Sequence, residues 1–207
     1  MKRRFLLGML FGSWILAVAA GFSTLARHAA KPGDPGSPPQ MRPGGSRLSF
    51  DAERYTLFIF LHPRCPCSRA SLEELNRVVA RCGRRLAARA VMIRPEGTSS
   101  VWNDTGLLDQ ARAIPGLRVT VDQDGIEARR FGARTSGHVM IFDTRGKLRF
   151  SGGITPSRNH EGDSAGRDAV VELVLHDKGD IARTPVFGCP LFAESNAREQ
   201  VANARKP

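Results

Sequence analysis

The chain has 207 residues, of which 41% are hydrophobic, and a formal net charge of +11. That length and apolar content suit one folded domain with accessory segments. The basic residues are scattered from Arg3 to Arg205 with a single tyrosine in the chain, so there is no aromatic-basic stripe for nucleic acid, and an anionic membrane surface is the better beneficiary of the charge.

In chain order, Lys2, Arg3 and Arg4 precede an uncharged stretch from Phe5 to Ala26, whose apolar heart, "FLLGMLFGSWILAVAAGF", is 18 residues long. This predicts a membrane anchor or signal segment over residues 1–26, with the basic flank in the cytoplasm and the rest exported to the periplasmic side. The small-residue pattern Ala17-Val18-Ala19 offers a cleavage site, so secretion after signal removal is the alternative. "KPGDPGSPPQMRPGGS" marks residues 27–46 as a Pro/Gly-rich tether. The folded domain is expected over 47–190 and a flexible basic tail over 191–207.

"YTLFIFLH" reads as a buried strand, and Leu72, Leu75, Val78, Val79 and Cys82 share one face of a following helix that stops at Gly83. A second strand spans Leu86 to Ile93, a second helix Val101 to Ala113, and a third strand Leu117 to Asp122. A short helix follows from Asp124 to Gly132. "HVMIFD" and "KLRFSGG" flank a turn at Thr144-Arg145-Gly146 and read as a β-hairpin. A last helix, Ala165 to His176, turns Val170, Val171, Val174 and Leu175 inward. Strands alternating with helices imply parallel pairing, and the hairpin adds an antiparallel edge, giving an α/β mixed sheet flanked by helices.

The centre of interest is "HPRCPCS", with Cys65 and Cys67 between a strand and a helix. Unpaired amides and the positive dipole end favour a thiolate there, and Arg64 and Arg69 flank the pair. Ser71 and Glu74 form a capping-box pattern that would start the regular helix one turn later. A Cys-x-Cys disulfide closes a small strained ring that is easily reduced. The plain alternative is two buried sulfurs. Cys82 falls on the apolar helix face and is expected in the core. Cys189, in "TPVFGCPLF", sits in a segment able to fold back as a resolving partner. His62 and His138 would give a soft metal site with the two thiolates, suited to Cu(I) or Zn. "GGITPSRNHEGDSAG" lacks a phosphate-loop pattern and reads as an insertion whose Arg158 and His160 could rim the site.

"FIFLHPRCPCS", "DQDGIEARRFG" and "HVMIFDTRGKLRFSGG" together resemble the membrane-tethered thioredoxin-like proteins, over about residues 50–177. "HPRCPCSRAS" with "SGGITPSRNHEGD" is similar to a RedB-like branch. The resemblance implies a thioredoxin-like fold and exchange between Cys65, Cys67 or Cys189 and protein thiols or disulfides, with Cys67 resolving and Cys189 as the alternative. It places Arg64, Gly137 and His138 on the substrate side. Two departures stand out: Ser68 occupies the place of the second cysteine of Cys-x-x-Cys, and Gly137 that of the cis-proline. No cofactor is expected on this reading. The alternative is a copper-binding or copper-delivery protein using Cys65, Cys67, His62 and His138, resembling copper chaperones of oxidase assembly, whose cysteines are spaced further apart. A thiol peroxidase is a weaker reading, since His62 stands where that family has threonine, and a non-catalytic docking domain would leave the cysteine pair unexplained.

Overall fold

A computed structural model describes residues 2–95, 97–98, 106–178 and 183–192. It divides into two units, residues 1–31 and 32–207. The first is one helix, α1 (Lys2–Ala30), which ends four residues beyond the segment expected from composition. Among the described residues it alone is long and apolar enough to cross a membrane, with mean hydropathy 2.0 over its apolar window.

The second unit carries β1 (Tyr55–Leu61), α2 (Cys67–Cys82), a 3-10 turn (Gly83–Arg85), β2 (Leu86–Arg94), α3 (Leu107–Ala113), β3 (Arg118–Gln123), α4 (Ile126–Arg130), β4 (His138–Phe142), β5 (Leu148–Gly152) and α5 (Ala165–His176). The sheet order is β3-β2-β1-β4-β5. β1 pairs parallel with β2 and β2 with β3, while β1–β4 and β4–β5 are antiparallel. The hairpin turn closes on Gly146, whose φ of 78° suits glycine.

Why β1 is apolar from Leu57 to Leu61 follows from its place in the middle of the sheet, with both faces covered. Leu57, Ile59 and Leu61 point to one side and pack with Leu72, Leu75 and Val78 of α2 and Val170 and Val174 of α5. Phe58 and Phe60 point to the other, against Phe131, Met140 and Phe142. In α5 it is Leu173, not Leu175, that joins the fully buried side; Leu175 is partly buried.

Two local expectations are corrected, and one falls outside the described residues. The Ser71/Glu74 pair does not cap α2: the helix begins at Cys67, behind Pro66. Ser71 Oγ instead donates to Cys67 O, and Glu74 is fully buried. α3 is described only from Leu107, so the expected helical start at 101–105 lies outside the described residues, as does the tail from 193 onward. Third, residues 33–42 run along the domain. Gly33 N–H donates to Val186 O at 2.8 Å, Ser37 N–H to Gly132 O at 3.0 Å and Leu148 N–H to Gln40 O at 2.8 Å. Prolines and glycines give this stretch no helix and no core of its own, yet its backbone donors still find carbonyls on the domain.

Candidate functional site

The loop leaving β1 turns back at once, with Cys65 N–H donating to His62 O at 3.1 Å and Ser68 N–H to Cys65 O at 3.0 Å. This places Cys65 just ahead of α2 and Cys67 at its first position, where backbone amides have no helical acceptor. Ser68, standing where a second cysteine was expected, is fully buried; its hydroxyl donates to His62 O at 3.0 Å and meets Ser136 Oγ at 2.9 Å. Ser136 Oγ also accepts from His62 N–H at 2.8 Å. A pair of serines therefore joins the cysteine loop to the loop before β4.

The second thiol partner comes from the far end of the chain. Ser136 N–H donates to Cys189 O at 2.9 Å and Leu191 N–H to Arg134 O at 2.8 Å, so residues 189–191 lie antiparallel on residues 134–136, with a bridge between Thr135 and Pro190. Gly188 makes this approach feasible, since a Cβ there would stand 2.0 Å from Ser136 O. The segment brings Cys189 N–H to 3.3 Å from Cys65 Sγ. The Sγ atoms of Cys65, Cys67 and Cys189 all lie within 4.8 Å of one another.

Cys65 and Cys67 are both buried, at 4% and 6% exposure, with Cys189 half-buried beside them. Burial pushes the Cys65 thiol up, but hydrogen bonds from the Cys189 thiol and N–H, from Cys67 N–H and from Ser68 outweigh it and hold Cys65 below the ordinary thiol value. Burial and the charge of Cys65 raise Cys67, against an N–H from Asn159 and the Arg158 guanidinium. Burial, then the hydrogen bond to and charge of Cys65, push Cys189 up to about 12, with Arg158 opposing. Of the three thiols Cys65 is therefore the most easily ionised, and Cys67 and Cys189 hold their protons more tightly.

Asn159 and Arg158 reach the sulfurs on the loop between β5 and α5. Glu74 pins that loop: its carboxylate accepts from Gly162 N–H at 2.8 Å and pairs with Arg167 at 3.1 Å and Arg77 at 2.7 Å. Arg158 also lines a cavity of about 240 Å³ with Arg134, Gly188 and Pro190, beside Cys189. His160 is exposed, with Nδ1 2.6 Å from Arg158 O.

Gly137 has φ 90° and donates its N–H to Phe60 O at 2.8 Å; a Cβ there would stand 2.7 Å from Ser71 Oγ. It thus lies against Ser71 of α2. His138, next along, does not reach the cysteines. Alternation along β4 turns it to the sheet face opposite α2, in register with Phe60, where Nε2 meets Ser151 Oγ at 2.7 Å. Its Nδ1 is buried without a partner, and burial lowers its pKa to about 4. His62 stays near the loop but is not among the clustered donors; its Nδ1 accepts from Arg64 N–H at 3.2 Å. Burial, followed by the Arg64 charge, lowers its pKa. The expected metal set of two cysteines and two histidines is thus not assembled among the described residues. Arg64 itself is exposed, and Cys82 is buried in the core with its thiol raised to about 11.

Residues missed from sequence are Ser136 and Asn159, and Glu74 was seen only as a cap. Only the serine pair had a usable signal, namely Ser68 in the vacated cysteine position.

No family model matches the sequence, and no curated protein matches it either. Solved structures do. An uncharacterised conserved protein from Geobacillus kaustophilus is 17% identical, with 79% of this chain and 92% of that one covered and a TM-score of 0.58. A hypothetical protein from Sinorhizobium meliloti is 19% identical, with 79% and 94% covered and a TM-score of 0.57. An exposed lipoprotein thioredoxin from Streptococcus pneumoniae is 17% identical, with 67% and 98% covered and a TM-score of 0.45. A mixed sheet of this order, with helices on both faces and cysteines where β1 gives way to α2, defines a thioredoxin-like fold. At these identities the likeness to the first two speaks for the fold alone.

Proposed function

We propose that the protein is a thiol-disulfide oxidoreductase in which Cys65 is the nucleophile and Cys189 the resolving thiol. The observation that carries this is the convergence of three sulfurs from two distant chain segments within 4.8 Å, with N–H and thiol donors aimed at Cys65. The Cys65 thiolate attacks one sulfur of a partner disulfide; a mixed disulfide forms and one partner thiolate leaves. Cys189 then gives up its proton and attacks the Cys65 sulfur. The Cys65–Cys189 bond forms and the second partner thiolate leaves, so the partner gains two electrons and the protein loses them. The reverse sequence oxidises a dithiol.

The order of events is built into the charges. Burial above all, and next the hydrogen bond to and charge of a Cys65 thiolate, hold the Cys189 proton in place. Once Cys65 is tied into a mixed disulfide that charge and hydrogen bond are gone, and Arg158 favours the Cys189 thiolate. Cys67, expected from sequence to resolve, would close a far smaller ring. Its amide and raised thiol serve Cys65 instead.

Partners on this reading are protein thiols or disulfides. The α1 helix, with Lys2, Arg3 and Arg4 in its first turn, supports a single-pass anchor with the domain on the periplasmic side, or export followed by signal cleavage. Such a compartment lets disulfides persist.

Insulin-disulfide reduction in the presence of dithiothreitol tests the chemistry. Cys65→Ala is expected to abolish turnover and Cys189→Ala to stall the protein as a mixed disulfide. Full turnover by Cys65→Ala would end the proposal.

A further inference from the structure

The same three sulfurs satisfy the geometry of a soft metal, a property separate from disulfide exchange. A trigonal tris-thiolate centre with metal–sulfur bonds near ~2.3 Å places its sulfurs about 4 Å apart, and the Sγ atoms of Cys65, Cys67 and Cys189 all fall within 4.8 Å. We infer that the fully reduced protein binds one Cu(I) in a three-sulfur site formed by Cys65, Cys67 and Cys189.

Three features of the site favour this ion. The donors are sulfurs alone: among the described residues no imidazole or carboxylate oxygen joins the group. Soft thiolates select Cu(I), which accepts three ligands, whereas structural Zn(II) sites are nearly always four-coordinate. The sulfurs already receive N–H donors, from Cys189 and Cys67 onto Cys65 and from Asn159 onto Cys67, and such bonds spread the charge of a thiolate cluster. Burial of Cys65 and Cys67 keeps competing water out. The third ligand arrives on a segment held by the backbone bonds to Arg134 and Ser136, so release of that segment would remove one sulfur and lower the affinity. Neither His62 nor His138 is a ligand in this arrangement, which departs from the histidine-containing set expected from sequence.

The test is anaerobic titration of the reduced full-length protein with Cu(I), in competition with a chromogenic Cu(I) chelator. One ion per chain is expected, with X-ray absorption showing three sulfur scatterers and no nitrogen. Cys189→Ser is expected to weaken binding by about 100-fold or more, since loss of even an outer hydrogen-bond partner costs about 10–100-fold. His138→Gln and Cys82→Ala should bind as the wild type does. Absence of copper retention, a nitrogen in the first shell, or equal binding by Cys189→Ser would each overturn the inference. Retention of Zn(II) in preference to Cu(I) would overturn the choice of metal. Because the readout is metal bound and not disulfide turnover, a protein that exchanges disulfides yet holds no copper would sink this inference and leave the exchange reading standing.

Discussion

The thiolate at Cys65 depends on donors brought by Cys189, and this makes a sharp prediction. In metal-free reduced protein, Cys189→Ala removes the thiol donor but keeps the backbone N–H that lies 3.3 Å from Cys65 Sγ. A hydrogen bond to a charged acceptor contributes about 1.5–3 kcal/mol, and a thiol is a weak donor, so the low end applies. A loss of about 1.4 kcal/mol corresponds to a tenfold smaller thiolate fraction at any pH below the titration. Cys189→Ser supplies a hydroxyl donor in the same place and should restore most of it. The assay is the rate of iodoacetamide labelling of Cys65 against pH, in a Cys67→Ser background so that one reactive sulfur is followed. The expected order of apparent pKa is Ala above Ser, with Ser close to Cys. An alanine variant whose Cys65 labels as fast as the parent, or faster, would show that burial and not the Cys189 donor governs the thiolate.

Further outcomes follow from other contacts. Gly188→Ala drives a methyl into Ser136 O, so residues 188–191 must lift; oxidation should then yield less Cys65–Cys189 disulfide by mass spectrometry, and an unchanged yield would refute the role given to this pairing. Glu74→Gln removes the buried carboxylate charge that pairs with Arg167 and Arg77, leaves Arg167 to Asp163 and Asp168 and weakens the acceptor for Gly162 N–H, with an expected cost of about 2 kcal/mol in urea unfolding and faster proteolysis between residues 157 and 162; equal midpoints and cleavage would argue against the pin. Gly137→Ala combines a φ of 90° with a clash at Ser71 and should cost about 2 kcal/mol or more; Ser71→Ala in the same chain should recover the clash but not the backbone strain. For His138 the folded-state pKa is about 4, below its unfolded value, so the unfolded chain takes up the extra proton. Stability is therefore full above about pH 6.5 and falls as pH drops towards 4, by up to roughly 3 kcal/mol. His138→Gln should flatten that acid limb; an unchanged slope would exonerate the histidine.

Much of the scaffold was legible because its elements have clean periods. The unbroken apolar run of β1 announced a strand covered on both faces, the Asp143–Lys147 turn announced the hairpin, and the α2 stripe ended at Gly83. The site was legible only in part. Cys65 and Cys67 were visible as a pair at a helix start, but the partner sulfur is set by backbone pairing between residues 134–136 and 189–191, for which a Gly-Cys-Pro string gives little warning. His138 was misplaced because its nearness to Gly137 in sequence hid the alternation that sends neighbouring strand residues to opposite faces. Glu74 was read as a cap because its spacing from Ser71 fits one; the arginines that bury it come from one turn along α2 and from α5, and only tertiary packing brings the latter in. Residues 33–42 looked like free chain because their attachment uses main-chain groups, which composition does not encode.

The most direct measurement is the connectivity of the disulfide formed when reduced protein is treated with oxidised glutathione, mapped by fragment spectra of the linked peptides. The account predicts a bond between Cys65 and Cys189, with Cys67 and Cys82 left free to alkylate. A bond confined to Cys65 and Cys67, or four free thiols after oxidation, would contradict it.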